Sequence, residues 1–464
     1  MARAGIATFA RRPQLDDVLD ELRNAAARRS IDAYLVGGFV RDRLRGVTGK
    51  DIDVVTVEGE GADVLAAVAE AFGWAPPVRF ERFGTSQIRG DGFVVEAVRA
   101  RSERYDPESR KPDVQPGTLE EDVRRRDFTI NALVQTFSGR VLDITARGLD
   151  DLRAGVLRTP SDAAETFAED PLRMFRAARF AAQLGFALAP GMIEAMRERA
   201  ARASILSVER IAEELRKLLV SARPREGMAV LRDSGLLHTI LPEVTAMIGV
   251  EQGGYHIYDV YDHTMHALER APGELVTRAA TLLHDVAKPP THVLGADGKH
   301  TFYDHPVVGA DMARNILTRL RFSNDEIGAV AQLVRLHLRP IAYERERFSD
   351  TAVRRLIRDA GDLRGRMLDL ARADTEASAY PTTAEIDELE TRMARLDRGG
   401  EVSRLSPPLN GDELMLMARR GPGRWIRVVQ GAIENAILEG EIPPNDSAAA
   451  RAWLDGHRHL LDSD

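Results

Sequence analysis

The spacing of apolar residues changes character along this chain. Up to about residue 155, short β-branched runs alternate with helical stretches. Ile31 to Val36 reads as a strand that stops at Gly37-Gly38. Asp51 to Val57 alternates apolar and polar positions as a strand does, and Phe93 to Val98 and Val141 to Ile144 look similar. From about 156 to 245 the period becomes helical: Leu172, Phe175, Ala178 and Ala182 recur on one face, as do Ile211, Leu215 and Leu218, with Pro224 and Pro242 as punctuation. The helical pattern continues from about 250 to 380. Ser403 to Gly411, rich in Pro, Ser and Gly, then marks a turn or linker before a last helical segment. The expected fold is an α/β head over 1–155 followed by largely all-α regions over 156–245, 246–380 and 381–464.

Length agrees with this division, because 464 residues exceed one ordinary core and suggest about three or four units of ~100–200 residues. No apolar run approaches the ~18 residues of a membrane span. Met1 to Pro13 carries Arg3, Arg11 and Arg12 with no apolar stretch behind them, which argues against a secretory leader and makes the cytoplasm the expected compartment. The chain has 0 cysteines, so any metal must sit on carboxylate, imidazole and water. A net charge of −8 does not suggest a general nucleic-acid binder. Basic residues do cluster at Arg124-Arg125-Arg126, from Arg173 to Arg179, and around Arg216, Lys217, Arg223 and Arg225. A local basic face can hold a polyanion on an acidic protein. For the 216–225 cluster a solvated helix face is the better reading.

Chemistry gathers first around Gly37-Gly38. A glycine turn between a strand and a helix starting near Val40 presents backbone N–H groups to an anion, and Arg41 in the first helical turn can reach the same anion. Asp51 and Asp53 follow on a strand, so both side chains point to one face. Two carboxylates held that close need protons or cations, and Mg²⁺ prefers such oxygen ligands. Two Mg²⁺ ions there could activate a 3′-hydroxyl and steady a leaving pyrophosphate. Glu96 is either a third carboxylate on a neighbouring strand or a salt-bridged edge residue.

Further on, Arg124 to Ala132 is dense in polar groups. The arginines suit triphosphate or RNA backbone, and Asp127 and Asn131 share a face if the segment is helical, where either could bond a ribose. Glu169-Asp170-Pro171-Leu172-Arg173 opens a helix, with Asp170 as N-cap and Pro171 at the first position. The alternative for Asp170 is recognition. With Arg173 it offers an acceptor beside a fork of donors, matching the amino group and ring acceptor that cytosine and adenine share. Arg176 and Arg179 continue the basic row.

Taken in order, Leu35 to Asp42, Asp51-Ile52-Asp53, Arg125 to Ala132 and Glu169 to Arg173 resemble the motifs of class II tRNA nucleotidyltransferases, the family of CCA-adding enzymes and bacterial poly(A) polymerases. Glu209 to Leu215 resembles the family's neck element and Leu409 to Met415 its tail. The resemblance implies a polymerase-β-like nucleotidyltransferase head, then helical neck, body and tail that grip the acceptor stem and 3′ end of tRNA. It implies Mg²⁺ on Asp51 and Asp53, phosphate and sugar contacts from Gly38, Arg41 and Arg126, and a protein template for CTP and ATP made by Asp170 and Arg173 with help from Arg176 and Arg179. The intact Asp170–Arg173 pair and compact tail favour complete CCA addition over CC-only, A-only or poly(A) products.

A second constellation lies later. Of 11 histidines, most fall between 256 and 337. His284-Asp285 at the end of an apolar helix would be costly to bury unpaired, and a shared cation removes that cost. Mn²⁺, Ni²⁺, Fe²⁺ or Mg²⁺ would suit such ligands. The order resembles the HD phosphohydrolase superfamily, which implies His263, His284, Asp285 and Asp374 as ligands, with His305 and His337 extending the site toward a second metal. HD domains act on phosphomonoesters or 2′,3′-cyclic phosphates. The competing readings are a poly(A) polymerase on the same fold, an HD phosphohydrolase with a nucleotide-sensing head, and an RNA-binding scaffold without catalysis.

Overall fold

A computed structural model describes residues 12–80, 84–104, 113–253, 257–379, 382–398, 402 and 405–461. The expectation drawn from residues 1–11, the opening of the Ser403–Gly411 segment and His256 lie outside the described residues. The chain forms two compact units, Met1–Thr239 and Ile240–Asp464.

The first unit is built on a mixed sheet of seven strands. Its first five are β1 (Ala33–Leu35), β2 (Asp51–Thr56), β3 (Val78–Phe80), β4 (Thr85–Gly90) and β5 (Phe93–Arg99), joined by Val134–Gln135 and Val141–Leu142. The spatial order is β3-β4-β5-β2-β1 and then the two short strands. β2 and β5 run parallel, and the register sets Asp51 beside Val94 and Asp53 beside Glu96. Alternation along β2 sends Ile52 and Val54 into a core with Val18 and Leu22 of the Leu15–Arg28 helix and Val64, Leu65 and Val68 of the Gly61–Phe72 helix. Val55 packs on the other face with Val36, Val123 and Val134. Asp51 and Asp53 therefore lie on the face opposite those two helices, as period-two reading requires.

Several boundaries differ from expectation. The helix after β1 runs Gly37–Leu44, so it begins at the glycine pair and Arg41 falls in its second turn. Gly37 adopts φ +70°, which lets the chain reverse at the end of β1 and present the helix N-terminus to β2. Residues 127–131 do not form an α-helix. Phe128 is extended and only Thr129–Asn131 makes a 3₁₀ turn. β3 and β4 escaped the sequence reading because Arg79, Gln87 and Arg89 interrupt their apolar pattern.

Beyond the sheet, Leu172, Phe175, Ala178 and Ala182 are buried along the Leu172–Leu184 helix, and Ile211, Leu215 and Leu218 along Val208–Leu219. Pro224 and Pro242 each start a helix rather than merely ending one. A short parallel pairing of Val156–Leu157 with Ala187–Leu188 interrupts this helical region.

Among the described residues, the second unit is helical except for one hairpin. Helices Val260–Arg270, Leu275–Leu283, His305–Arg319, Asn324–Leu336 and Arg364–Glu376 carry or flank the histidine cluster. Between the second and third of these, His292–Leu294 pairs antiparallel with His300–Phe302. The intervening Gly295-Ala296-Asp297-Gly298 supplies the turn, with Gly298 at φ +75°. Downstream, helices Gly411–Ala418, Trp425–Glu439 and Ser447–Gly456 close on Trp425, Val429, Ile433 and Leu454. Among the described residues no helix is long and apolar enough to cross a membrane.

Candidate active site and metal centre

Three carboxylates share one face of the head sheet. Asp51 and Asp53 do so by alternation along β2, and Glu96 joins them because β5 pairs in parallel register with Asp53 opposite Glu96. Burial pushes the Asp53 carboxyl up to about 6; the Arg126 guanidinium opposes this, while Glu96 and Asp51 add to it. The Phe39 N–H donates to Asp53 from the start of the Gly37–Leu44 helix. A Cβ on Gly37 would stand 2.8 Å from Asp53 Oδ2, so the glycine is needed for contact as well as for φ. Hard oxygen donors carrying more negative charge than nearby cations balance are a fitting set for a divalent metal.

Beside this face runs a chain of paired polar groups. Arg41 donates through Nη1 to Asn131 Oδ1 at 2.8 Å and clasps Asp42 at 2.9 and 2.6 Å. Asn131 Nδ2 donates to Asp127 Oδ1 at 3.0 Å. Asp127 Oδ2 accepts from Arg176 at 2.8 and 2.5 Å. Burial alone would raise the Asp127 carboxyl, but Arg176, Asn131 and the Phe128 N–H hold it down at about 2. Asp127 and Asn131 thus meet as their spacing suggested, across a 3₁₀ turn instead of an α-helix. Arg126 donates to Asp122 at 2.8 Å and reaches the Asn131 carbonyl at 3.4 Å; Arg125 holds the other oxygen of Asp122.

Phe180, buried in the Leu172–Leu184 helix, is the hub of the arginines. Arg41, Arg176 and Arg179 place their guanidinium carbons 5.2, 5.5 and 3.9 Å from its ring centroid. Sequence reasoning missed Phe180, which reads as one more apolar core position. It missed Asp122 too, although Asp122 and Arg126 are spaced i,i+4 after the Thr118–Glu121 capping box.

Asp170 and Arg173 do not form a side-by-side fork. Arg173 is buried and donates to the Thr166 carbonyl at 3.2 Å, Glu169 at 3.1 Å and the Arg125 carbonyl at 2.5 Å. Asp170 accepts from the Leu172 N–H at 3.1 Å, as a capping carboxylate does, and lies 3.8 Å from Arg210. Asp170 was expected as N-cap with Pro171 at the first helical position, but the helix begins at Leu172 with Pro171 as its N-cap residue, and Asp170 closes the preceding Ala163–Glu169 helix; a buried guanidinium turns to the nearest unsatisfied carbonyls. The basic row is likewise engaged: Arg179 donates to Glu214 at 2.5 Å and to Gln183 at 2.8 Å.

In the second unit six ligand atoms converge. His263 Nε2 is 2.8 Å from Asp374 Oδ1, and His284 Nε2 is 3.2 Å from Asp285 Oδ2 and 3.8 Å from Asp374 Oδ1. Asp285 Oδ1 faces His305 Nε2 at 3.4 Å and His337 Nε2 at 3.7 Å. The result is two buried triads, His263–His284–Asp374 and Asp285–His305–His337, with ligand atoms in each within 4.8 Å. Three rings are set by their own helices or turns. Nδ1 of His284, His305 and His337 each meets the carbonyl three residues earlier, Thr281, Phe302 and Val334, at 2.7, 2.8 and 2.7 Å. A donating Nδ1–H leaves the Nε2 lone pair facing inward, the tautomer a metal needs.

Electrostatics describe the same cluster. Burial would lower His284, but Asp285 and Asp374 push it up to about 9. Burial and the His284 charge drive His337 down to about 4. His284 Nε2 is fully buried without a well-formed hydrogen bond. Imidazole nitrogens facing carboxylate oxygens across 3–4 Å form a donor set that fits a borderline divalent ion. Lys288, not foreseen, lies 2.7 Å from Asp285 Oδ2 and donates to Gln252 Oε1 at 2.5 Å.

Comparison with known proteins follows this geometry. Three family models match in chain order: "Poly A polymerase head domain" over residues 33–158, "Probable RNA and SrmB- binding site of polymerase A" over 185–248, and "HD domain" over 253–397. An A-adding tRNA nucleotidyltransferase of Deinococcus radiodurans is 34% identical over 443 residues, covering 91% of this chain and 96% of its own. A multifunctional CCA protein of Chromobacterium violaceum is 36% identical over 386 residues, covering 78% and 90%. Among solved structures, the Bacillus stearothermophilus CCA-adding enzyme in complex with CTP superposes with a TM-score of 0.70 at 23% identity, covering 97% of this chain and 99% of that one. At that identity the likeness establishes the fold.

Proposed function

The chain belongs to the tRNA nucleotidyltransferase family, and from that premise we propose that it completes tRNA 3′ ends with CCA, taking CTP twice and then ATP and releasing pyrophosphate each time. The observation that carries the reading is the meeting of Asp51, Asp53 and Glu96 on one sheet face, directly below the glycine turn. Asp51 and Asp53 would hold Mg²⁺, with Glu96 beside them. Mg²⁺ bound there supplies the charge that activates the tRNA 3′-hydroxyl and steadies departing pyrophosphate. The N–H groups around Gly38, with Arg41 and Arg126, bind the nucleotide's phosphates and sugar. Asp127 and Asn131 bind the ribose.

Asp170 and Arg173 select cytosine and adenine, assisted by Arg176 and Arg179. Their present partners, Arg210 for Asp170, Glu169 and the Thr166 and Arg125 carbonyls for Arg173, Asp127 for Arg176 and Glu214 for Arg179, must be exchanged for the base as it enters. Residues 156–245 and 381–464 grip the acceptor stem, residues 246–380 form the HD region, and the chain works in the cytoplasm.

The test is product sequencing. Purified chain with Mg²⁺ is given tRNAs ending at the discriminator base, at C and at CC, with each nucleoside triphosphate. The expected product is CCA from all three, with CTP and ATP used and GTP and UTP ignored. Addition of A alone to CC-ended tRNA would replace the reading with an A-adding one, the activity named for the Deinococcus relative. Long A tails would indicate a poly(A) polymerase, and no addition to several tRNAs would sink the proposal.

A second reading concerns the HD centre. Six buried ligands in two triads, joined where Asp285 faces His284, favour a metal-dependent phosphohydrolase acting on phosphate esters at RNA ends, with Mn²⁺, Ni²⁺, Fe²⁺ or Mg²⁺. Release of phosphate from an RNA 3′-monophosphate, or opening of a 2′,3′-cyclic phosphate, should persist when Asp53 is replaced by Asn. Absence of turnover with all four metals would dispose of it.

A further inference from the structure

Phe180 stands where two sets of nucleotide contacts meet. It is 5% exposed on the Leu172–Leu184 helix, one turn after Arg176 and next to Arg179. Three guanidiniums gather on its ring. Their carbons lie 3.9 Å (Arg179), 5.2 Å (Arg41) and 5.5 Å (Arg176) from the centroid, all within reach of a cation–π contact. Arg41 arrives from the helix that follows the glycine turn, so helical periodicity around Phe180 does not account for it. Phe128 meets the same ring at 5.7 Å and 87°. Its N–H donates to Asp127 Oδ1 at 2.8 Å, and it leads into the Thr129–Asn131 turn.

Hydrogen bonds close these contacts into a circuit. From Arg41 it passes through Asn131 at 2.8 Å and Asp127 at 3.0 Å to Arg176 at 2.8 Å, and both ends of that chain rest on Phe180. The circuit joins residues assigned to phosphate and sugar with residues assigned to the base. Each arginine also holds its own carboxylate, Asp42 for Arg41, Asp127 for Arg176 and Glu214 for Arg179. Nucleotide entry exchanges such partners, and cations crowded on one ring then repel each other. Burial and the Arg176 charge already lower the Arg179 guanidinium, against the pull of Glu214. An aromatic face attracts cations without being an acceptor that the nucleotide must displace. An aliphatic core residue would fill the space and supply none of that attraction.

We propose that Phe180 is the positioning residue of the nucleotide site: its ring holds Arg41, Arg176 and Arg179 in place while CTP or ATP replaces their carboxylates, so that phosphate-facing and base-facing arginines act as one unit. This rests on the transferase reading above.

The test varies the charge of the ring face at nearly constant shape. In the full chain, Phe180 is replaced by 4-fluoro-, 3,5-difluoro- and 3,4,5-trifluorophenylalanine, each fluorine withdrawing density from the face, and by leucine as the variant without a ring. Extension of CC-ended tRNA with ATP, and of tRNA ending at the discriminator base with CTP, is then measured. The nucleotide KM should rise stepwise along the fluorine series, by about tenfold at three fluorines, with kcat changed less. A KM indifferent to fluorine, with loss confined to Phe180→Leu, assigns Phe180 a packing role and overturns the proposal. The rise in KM caused by Arg41→Gln should be smaller in the trifluoro background than in the parent; equal rises would detach Arg41 from the unit and overturn the coupling. Equilibrium binding of radiolabelled CTP with Mg²⁺ and without RNA separates the proposal from the transferase reading. If the wild-type chain extends no tRNA yet binds CTP, and fluorination weakens that binding, the transferase reading fails and the positioning role stands. CTP binding that ignores fluorination overturns the positioning role whatever the chain adds to RNA, and absence of CTP binding overturns both.

Discussion

Asp53→Asn is expected to reduce nucleotide addition by about a thousandfold or more, with tRNA binding nearly unchanged. The substitution removes a ligand whose metal supplies several kcal/mol of transition-state stabilisation, and each 1.36 kcal/mol is about tenfold in rate. Primer extension under single turnover, beside a binding titration, separates the two effects. A variant that extends tRNA at the wild-type rate would remove Asp53 from the chemistry. The same substitution has an opposite effect on stability. The Asp53 carboxyl titrates at about 6 in the folded chain against an ordinary 3.8. The folded state therefore holds this proton more tightly than the unfolded state. Ionisation costs stability as pH rises from about 4 through 6, and below about 4 the cost is absent. In chelator, Asp53→Asn should raise the melting temperature at pH 7.5 and do so much less at pH 5. Saturating Mg²⁺ should erase the advantage, because the metal then balances the wild-type carboxylates. Equal melting curves at both pH values in chelator would contradict the burial and charge argument for Asp53.

Asp285→Ala should have the largest effect in the second unit. Asp285 is 1% exposed and lies within 4 Å of His284, Lys288, His305 and His337. Its removal leaves a buried lysine and a charged His284 without their nearest counter-charge, a loss on the order of 3–5 kcal/mol. The melting transition of this unit is expected to fall by roughly 10 °C. Metal content should fall with it. Measured by elemental analysis in an Asp53→Asn background, so that the head does not contribute, Mn²⁺ bound per chain should drop below the parent's. Asp285→Asn removes the charge but keeps the shape and one acceptor oxygen, and should give an intermediate result. At a temperature where Asp285→Ala stays folded, CCA addition should continue. Unchanged metal content in both variants would exclude Asp285 from the ligand set.

The main chemistry was legible in the sequence because it is local. Asp51 and Asp53 are two residues apart on a strand, and period two alone places them together. Gly37-Gly38 marks the turn at which the helix carrying Arg41 begins. His284-Asp285 at the end of an apolar helix pointed to a buried polar cluster, since leaving such a pair unpartnered is costly. The order of the motifs is by itself enough to identify the family.

Partners far apart in the chain were not legible. Asp127 with Arg176 and Arg179 with Glu214 are 49 and 35 residues apart, so no periodicity links them. Arg173 illustrates the limit: its spacing from Asp170 suggested a shared recognition edge, but the Arg125 carbonyl, 48 residues back, draws the guanidinium inward. Glu96 stood between two readings until the parallel β2–β5 register put it opposite Asp53; a slip of one residue would have sent it to the helix-covered face. The hairpin between the HD ligands was invisible because strands of three residues leave no period to read.

The amino-acid sequence by itself thus determined the two chemistries, paired carboxylates under a glycine turn and a histidine–aspartate cluster, since both depend on side chains a few bonds or one helical turn apart. Tertiary structure alone decided which charges neutralise one another, which carboxylate joins Asp53, and how Asp285 faces the ligands of both triads. Those outcomes depend on strand register and helix packing, where one residue of slippage moves a charged group from the site to the core or to water.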